Sequence, residues 1–431
     1  MRESGKKDYS WWAYSAETDP SWMKWCRMGM VATAVVFLGM QLTGGVIRWV
    51  LDMVGASVLT YVPNLMMLLC ILVFLVTEVL YGRLRPIAFL FLVWIALTIA
   101  VGAFNTGSIA QSVFGLWVLL PFLFGMASAP VLMEPHALRP AFFVLLFLIA
   151  VGGVLAHNFV ALPWVGVSYQ VGGVEIEGAR EWHASGGKQR LSGLARSSFD
   201  VAGQIIVTAG MLSLCIKSSG LLRIVLWSLC GFAISLSTSK GILLALLMTV
   251  IASEALIRNK KVPLKMIFTI GIFWLTVPPI MGWTIDWSQA ARTDIDNPLY
   301  GSFIDRMNDM WPRAWELATD KGLPLLGRGL GGIGVPVSVF EPALANAGDN
   351  LWVYVLVIAG VMCLPFFVIG YIQIYRYCES FEAMEMQELL VLAVIVNWYG
   401  GVSNILEHAV LAFAFGILCR YLATPFFKRN Y

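Results

Sequence analysis

Runs of about twenty mostly apolar residues recur along this chain, and no other feature limits its folding as much, because roughly 17–25 such residues make a helix long enough to cross a bilayer. Inside hydrocarbon every backbone N–H and C=O must be satisfied within the protein, so segments of this kind are helical. The pattern predicts about twelve spans, near 28–47, 58–80, 86–104, 108–128, 139–157, 199–216, 221–238, 240–257, 264–284, 350–373, 387–403 and 405–422. Pro63 and Pro121 fall within two of them, which is tolerable where neighbours satisfy the freed carbonyls. The 431 residues are 59% hydrophobic and 13% charged, more apolar surface than a soluble domain can hide. The expected fold class is all-α, a polytopic integral membrane protein.

Lys and Arg set the orientation, since they concentrate in short cytoplasmic loops. With the N-terminus inside, the inner segments hold MRESGKK, Lys24, Arg27, YGRLRP, Arg139, Lys217, Arg223, RNKK, Lys265, Arg376, Arg420 and FFKRN, while the short outer loops hold little beyond Arg48 and Lys240. The expected organisation is an inner segment 1–27, helices 28–157, a long outer loop 158–198, helices 199–284, a second long outer loop 285–349, then helices and a short inner tail 350–431. The two long loops carry Arg180, Lys188, Arg190, Arg196, Arg292, Arg306, Arg313, Lys321 and Arg328. A net charge of +3 gives no reason to expect nucleic acid. The seven cysteines all fall in expected spans or on the inner side, so disulfides are not expected.

Several constellations could carry chemistry. GGKQRLSGLARSSFDVAG, from Gly186 to Gly203, crowds Lys188, Arg190 and Arg196 among glycines at the lip of a span. Arg forks suit phosphate, and glycines let backbone N–H groups approach an anion. Pairing with Glu175, Glu177 and Glu181, or anchoring to headgroups, would use the same residues. From Asp305 onward, Met307, Trp311, Ala314, Trp315 and Ala318 recur at helical spacing, with Pro312 expected to kink the helix or to start a second one. Arg306 and Arg313 would share a face of an unbroken helix, although Asp309 is placed to pair with either. GLGGIG follows no strand and is not read as a dinucleotide loop. DID, Asp294 to Asp296, reads better as a solvated loop than as a metal site. Asp349 and Asn350 stand at the mouth of a span, as helix caps, as a general base, or as both. Lys240 occupies a tight outer turn, and Glu407 with His408 lies near the end of the last span, where an ionisable residue is costly.

In order along the second half of the chain come R-x-S-G (Arg190, Ser192, Gly193), S-K-G (Ser239, Lys240, Gly241), Arg306, Trp311, a G-x-G-x-G run, and D-N-x-W (Asp349, Asn350, Trp352). The set resembles the O-antigen ligase and Wzy-type polysaccharide polymerase superfamily of bacterial inner membranes. Where the ligases look for His this chain has Asp349, which is more like the polymerases, among them those of xanthan-like exopolysaccharide clusters; its Lys240 stands where Arg is common. The resemblance implies a glycosyltransferase C-like membrane fold whose long loops face the periplasm. It implies an inverting, metal-independent transferase without a cofactor, acting on oligosaccharide linked to undecaprenyl pyrophosphate. Arg190, Arg306 and Asp349 would be catalytic. Arg196, Lys240, Arg313, Arg328, Asn350, Glu407 and His408 would line the substrate. A chain-length regulator and a flippase would be its protein partners. An O-antigen ligase and a lipid-linked oligosaccharide flippase or transporter remain alternative readings.

Overall fold

The computed structural model describes residues 21–80, 86–171, 174–183, 187, 189–237, 240–294, 297 and 301–423. Lys188, Ser239, Ile295, Asp296 and the charged ends MRESGKK and FFKRN, with most of YGRLRP, lie outside them.

Every expected apolar segment carries helix, and by length and composition seven of the described helices could cross a membrane: Ser21–Leu42, Ser57–Val79, Arg139–Phe159, Ser198–Cys215, Lys240–Ile257, Lys261–Thr284 and Leu351–Tyr377. An eighth is the pair Ile109–Val118 and Leu120–Leu132, bent by 43°. The break falls immediately before Pro121, which starts the second helix where its missing N–H leaves no bond unmade. Pro63 likewise sits in the first turn of the Val62–Leu80 helix. Phe91–Thr106, Gly220–Leu236 and Ala409–Leu422 are apolar but shorter.

The first expected span shifts towards the N-terminus. Its helix begins at Ser21 and ends at Leu42, and a separate amphipathic helix, Gly44–Met53, follows. The fold is all-α apart from the first long connection, which adds two small antiparallel pairs, β1 (Ser168–Val171) with β2 (Val174–Glu177) and β3 (Trp182–His183) with β4 (Gln189–Arg190). All seven cysteines are free.

The bundle packs most closely where Leu120–Leu132 crosses Ala409–Leu422. A Cβ on Gly125 would stand 2.2 Å from the Phe413 carbonyl oxygen, and one on Gly416 would stand 2.0 Å from that of Phe122. Reciprocal glycines let the backbones meet, the usual way helices associate where the hydrophobic effect does not drive them. At the centre runs Met384–Gly400, buried at every position from Gln387 to Gly400.

The second long connection returns into this bundle. The Leu330 N–H donates to the Thr98 carbonyl at 2.8 Å, and the Arg328 and Gly329 N–H groups donate to those of Val357 and Ile358 at 2.6 and 3.1 Å. Gly329 has φ +88°, and a Cβ there would lie 2.1 Å from the Gly102 nitrogen. The GLGGIG run is therefore a close-packed plug between helices.

Candidate functional site

The last turn of Met384–Gly400 delivers Tyr399 to one end of the bundle, and several chain segments converge around it. The first is the R-x-S-G element. Gly193, at φ +59°, lies so close to the Arg139–Phe159 helix that a Cβ would come within 2.8 Å of the Gly153 backbone. Its N–H donates to His157 Nδ1 at 3.2 Å, and its carbonyl accepts from Trp164 Nε1 at 3.2 Å. The loop is pinned, and Arg190 is held partly buried with its guanidinium 5.2 Å from the centre of the Phe199 ring.

The second segment is the expected amphipathic stretch. It is not one unbroken helix. Gly301–Asp305 runs into a π-helical turn, Arg306–Met310, and Trp311–Thr319 restarts with Pro312 in its first turn. The wide turn separates the two arginines. Arg313 pairs with Asp309, through Nε to Oδ1 at 2.9 Å and Nη2 to Oδ2 at 2.8 Å, and faces away from the cluster into the exposed surface. Arg306 turns inward. Its Nη1 donates to the Ser302 carbonyl at 2.7 Å, and its Nη2 donates to Asp349 Oδ2 at 2.7 Å.

The next residue, Asn350, is fully buried and caps Leu351–Ala359: Oδ1 accepts from the Val353 N–H at 3.1 Å, and Nδ2 donates to the carbonyls of Leu275 at 2.9 Å and Gly401 at 3.0 Å. Capping therefore belongs to Asn350 alone, which corrects its expected place on the substrate. Asp349 is left with one oxygen on Arg306.

Asp200 lies in the first turn of Ser198–Cys215. Its N–H donates to the cap residue's Ser197 Oγ at 3.2 Å, and that hydroxyl donates to Asp200 Oδ2 at 2.7 Å. Its other oxygen is 3.7 Å from His408 Nδ1, and His408 Nε2 meets Ser403 Oγ at 2.9 Å. The helix expected from 405 starts instead at Ala409, so Glu407 and His408 lie on the turn before it. Glu407 Oε1 accepts from the Val335 N–H at 2.7 Å and the Tyr354 hydroxyl at 3.0 Å, which ties the plug to the central helices. Asp349, Asp200 and Arg306 all act electrostatically on Tyr399.

Arg190 and Arg306 are close enough to repel. The Arg190 guanidinium is held below its ordinary range first by burial and second by Arg306, with Tyr399 acting the other way. Arg306 has a carboxylate, whereas Arg190, among the described residues, has only an aromatic face. The Nε atoms of both are buried without a hydrogen-bond partner. Two neighbouring forks, half compensated, suit an anion with several oxygens, which accepts paired hydrogen bonds from each.

The other expected residues divide. Arg196 lies within electrostatic reach of Asp200. Lys240 opens the Lys240–Ile257 helix, and the following Gly241 packs on Tyr399 and Val402. Arg328 is a correction: it is buried inside the plug, with its fork on Glu341 at 2.7 and 3.0 Å and on the Gly332 carbonyl at 3.0 Å, so it shapes the loop and does not face the cluster. Glu177, expected as a partner of the basic lip, lies 3.9 Å from Arg180. Among the described residues no group of three His, Cys, Asp or Glu side chains is placed to hold a metal ion.

Asp200, Tyr399 and Phe199 were not anticipated. Ser197 and Asp200 are spaced as a capping box, S-x-x-D, and that signal could have marked Asp200. Nothing in the local pattern marks Tyr399. No family model, curated protein or solved structure matches the chain.

Proposed function

We propose that the chain is a polysaccharide polymerase of the bacterial inner membrane, with about twelve spans in a glycosyltransferase C-like arrangement and both long connections in the periplasm. It transfers a growing glycan from undecaprenyl pyrophosphate to the non-reducing sugar of another lipid-linked repeat unit. The observation that carries the reading is the pair Arg190 and Arg306, two neighbouring, partly buried forks of which Arg306 alone, among the described residues, is matched by a carboxylate.

Pyrophosphate is already a good leaving group, so the step needs positive charge where the departing oxygen gains negative charge, in a site that excludes water. Arg190 and Arg306 supply it, with Arg196 in support. Asp349 fixes Arg306 through one oxygen and offers the other to the acceptor hydroxyl. The incoming sugar attacks the anomeric carbon as the glycosyl–oxygen bond breaks, the transition state is oxocarbenium-like, and the configuration inverts. The pyrophosphate leaves on its lipid, and the acceptor proton passes to Asp349 or to water. Asp200 and His408 form the wall beside it. Because the arginines provide the charge, activity is expected to survive chelation, and full loss restored by magnesium or manganese would displace this mechanism.

The test uses membranes containing the full chain and a lipid-linked repeat unit. The Arg190→Lys and Arg306→Lys variants keep charge but lose the fork, and each is expected to stop polymer growth while single repeat units accumulate. Normal polymer from both would remove the pyrophosphate clamp. Reporters fused after Gly186 and after Asp320 should read periplasmic, and one after Lys261 cytoplasmic. The opposite result would put the cluster on the wrong side.

A further inference from the structure

A groove of about 760 Å³ lies between the Lys261–Thr284 and Leu364–Tyr377 helices, outside the charged cluster. Ile272, Leu275 and Ile280 form one wall, and Phe367, Val368 and Ile372 the other. At one end the lining includes Lys265 and Glu379, which form an ion pair, and Tyr375, whose hydroxyl meets that of Thr269. At the other end the lining includes Trp352. That end is tied to the cluster, because the Leu275 carbonyl accepts from Asn350 Nδ2 at 2.9 Å, and Asn350 follows the residue that holds Arg306.

The groove extends from Lys265 to Ile280 along one helix, fifteen residues or ~22 Å at the helical rise. One leaflet of a typical bilayer contributes only ~15 Å of hydrocarbon. A phospholipid acyl chain anchored at one surface fills part of such a groove, and a longer hydrocarbon fills all of it. Because lipid tails are as apolar as this lining, fit and length select the occupant rather than any transfer from water.

We infer that this groove binds the long isoprenoid tail of a polyprenyl phosphate or pyrophosphate, with the anionic head at the Arg190 and Arg306 end. The assignment rests on the polymerase reading for the head and on the groove's own depth and position for the tail.

The experiment places a photoactivatable benzoylphenylalanine at position 372 in the full chain, reconstituted in phosphatidylethanolamine and phosphatidylglycerol vesicles doped with undecaprenyl phosphate. The expected adduct is the polyprenyl lipid, enriched several-fold over its share of the vesicle, and lost when Val368→Trp fills the groove. Labelling in proportion to lipid abundance, with phospholipid predominating, would overturn the assignment. This readout needs no catalysis, so it stands apart from the transferase reading. In the polymerising assay the same filled variant should lose several-fold of its preference for an undecaprenyl donor over one carrying two or three isoprene units. An unchanged preference would count against the groove alone, and absence of transfer by the unaltered chain would count against the polymerase reading alone.

Discussion

The two ends of the bundle use the same residue types in opposite ways. Away from the cluster, Arg139 is paired with Glu388, Arg223 with Glu254 at 2.7 Å, Arg258 with the same Glu254 at 3.3 Å, and Lys265 with Glu379. At the cluster end Arg306 has Asp349, but Arg190 faces a phenyl ring and is pressed by a second cation. A desolvated charge is expensive unless matched. The first end meets that cost within the chain, so its arginines read as structural. The second leaves it open, and an anion brought by a ligand would close it. On the proposed reading, position and pairing rather than residue type separate a structural arginine from one that meets the ligand.

Breaking the matched end should give the largest effect. Glu388 is buried at the start of the central helix, and Glu388→Ala would strand Arg139, a loss of about 3–5 kcal/mol for a buried pair. Thermal unfolding of the purified protein should show a marked drop, and adding Arg139→Met should recover most of it, because removing both partners leaves no orphan charge. A silent Glu388→Ala would remove one arm of the comparison.

The open end should behave with the opposite sign. Arg190→Met removes an unmatched cation, so the unfolding temperature should hold or rise while transfer is lost. Arg190→Lys and Arg306→Lys should lower the transfer rate by roughly a hundred- to thousandfold, or about 2.7–4 kcal/mol, at unchanged protein level. If Arg190→Met destabilised the protein as Glu388→Ala does, Arg190 would be structural too and the contrast would fail.

Asp349→Asn is expected to be milder. Asn keeps an oxygen for the Arg306 fork but removes the charge from a bond worth about 1.5–3 kcal/mol, so transfer should fall about ten- to hundredfold. Because Asn350 makes the cap, folding should be untouched. Normal polymer from Asp349→Asn would leave Arg306 held by shape alone and take Asp349 out of the reaction.

The helices were legible because apolar runs of bilayer length have only one backbone solution. Arg190, Arg306 and Asp349 were legible as residues because fixed charge is rare in such a chain, and the structure brings them to one end. What the sequence hid was direction. Arg306 and Arg313 look equivalent at a spacing of seven, and only the π-helical turn between them sends one inward. Arg328 looks like another loop cation, yet Glu341, thirteen residues on, neutralises it inside the plug. Tyr399 carries no local signal, because Asp200, Arg306 and Asp349 reach it from three distant segments.

The smallest expected effect sharpens the comparison from its far side. Arg313 lies seven residues from Arg306 on the same connection and carries the same fork, so a reading based on charge alone would give it a share of the anion. Its pairing says otherwise. The contact with Asp309 is a surface pair at helical i,i+4 spacing, with side chains 53% and 48% exposed. Such pairs contribute about 0.3–0.5 kcal/mol, and water replaces them readily. Arg313→Ala should therefore change the transfer rate by less than about twofold and the unfolding temperature barely, in the assays that register Arg306→Lys strongly. Should Arg313→Ala match Arg306→Lys, the anion would have to reach across the π-helical turn to the outer face, and the boundary drawn between the two arginines would lie in the wrong place.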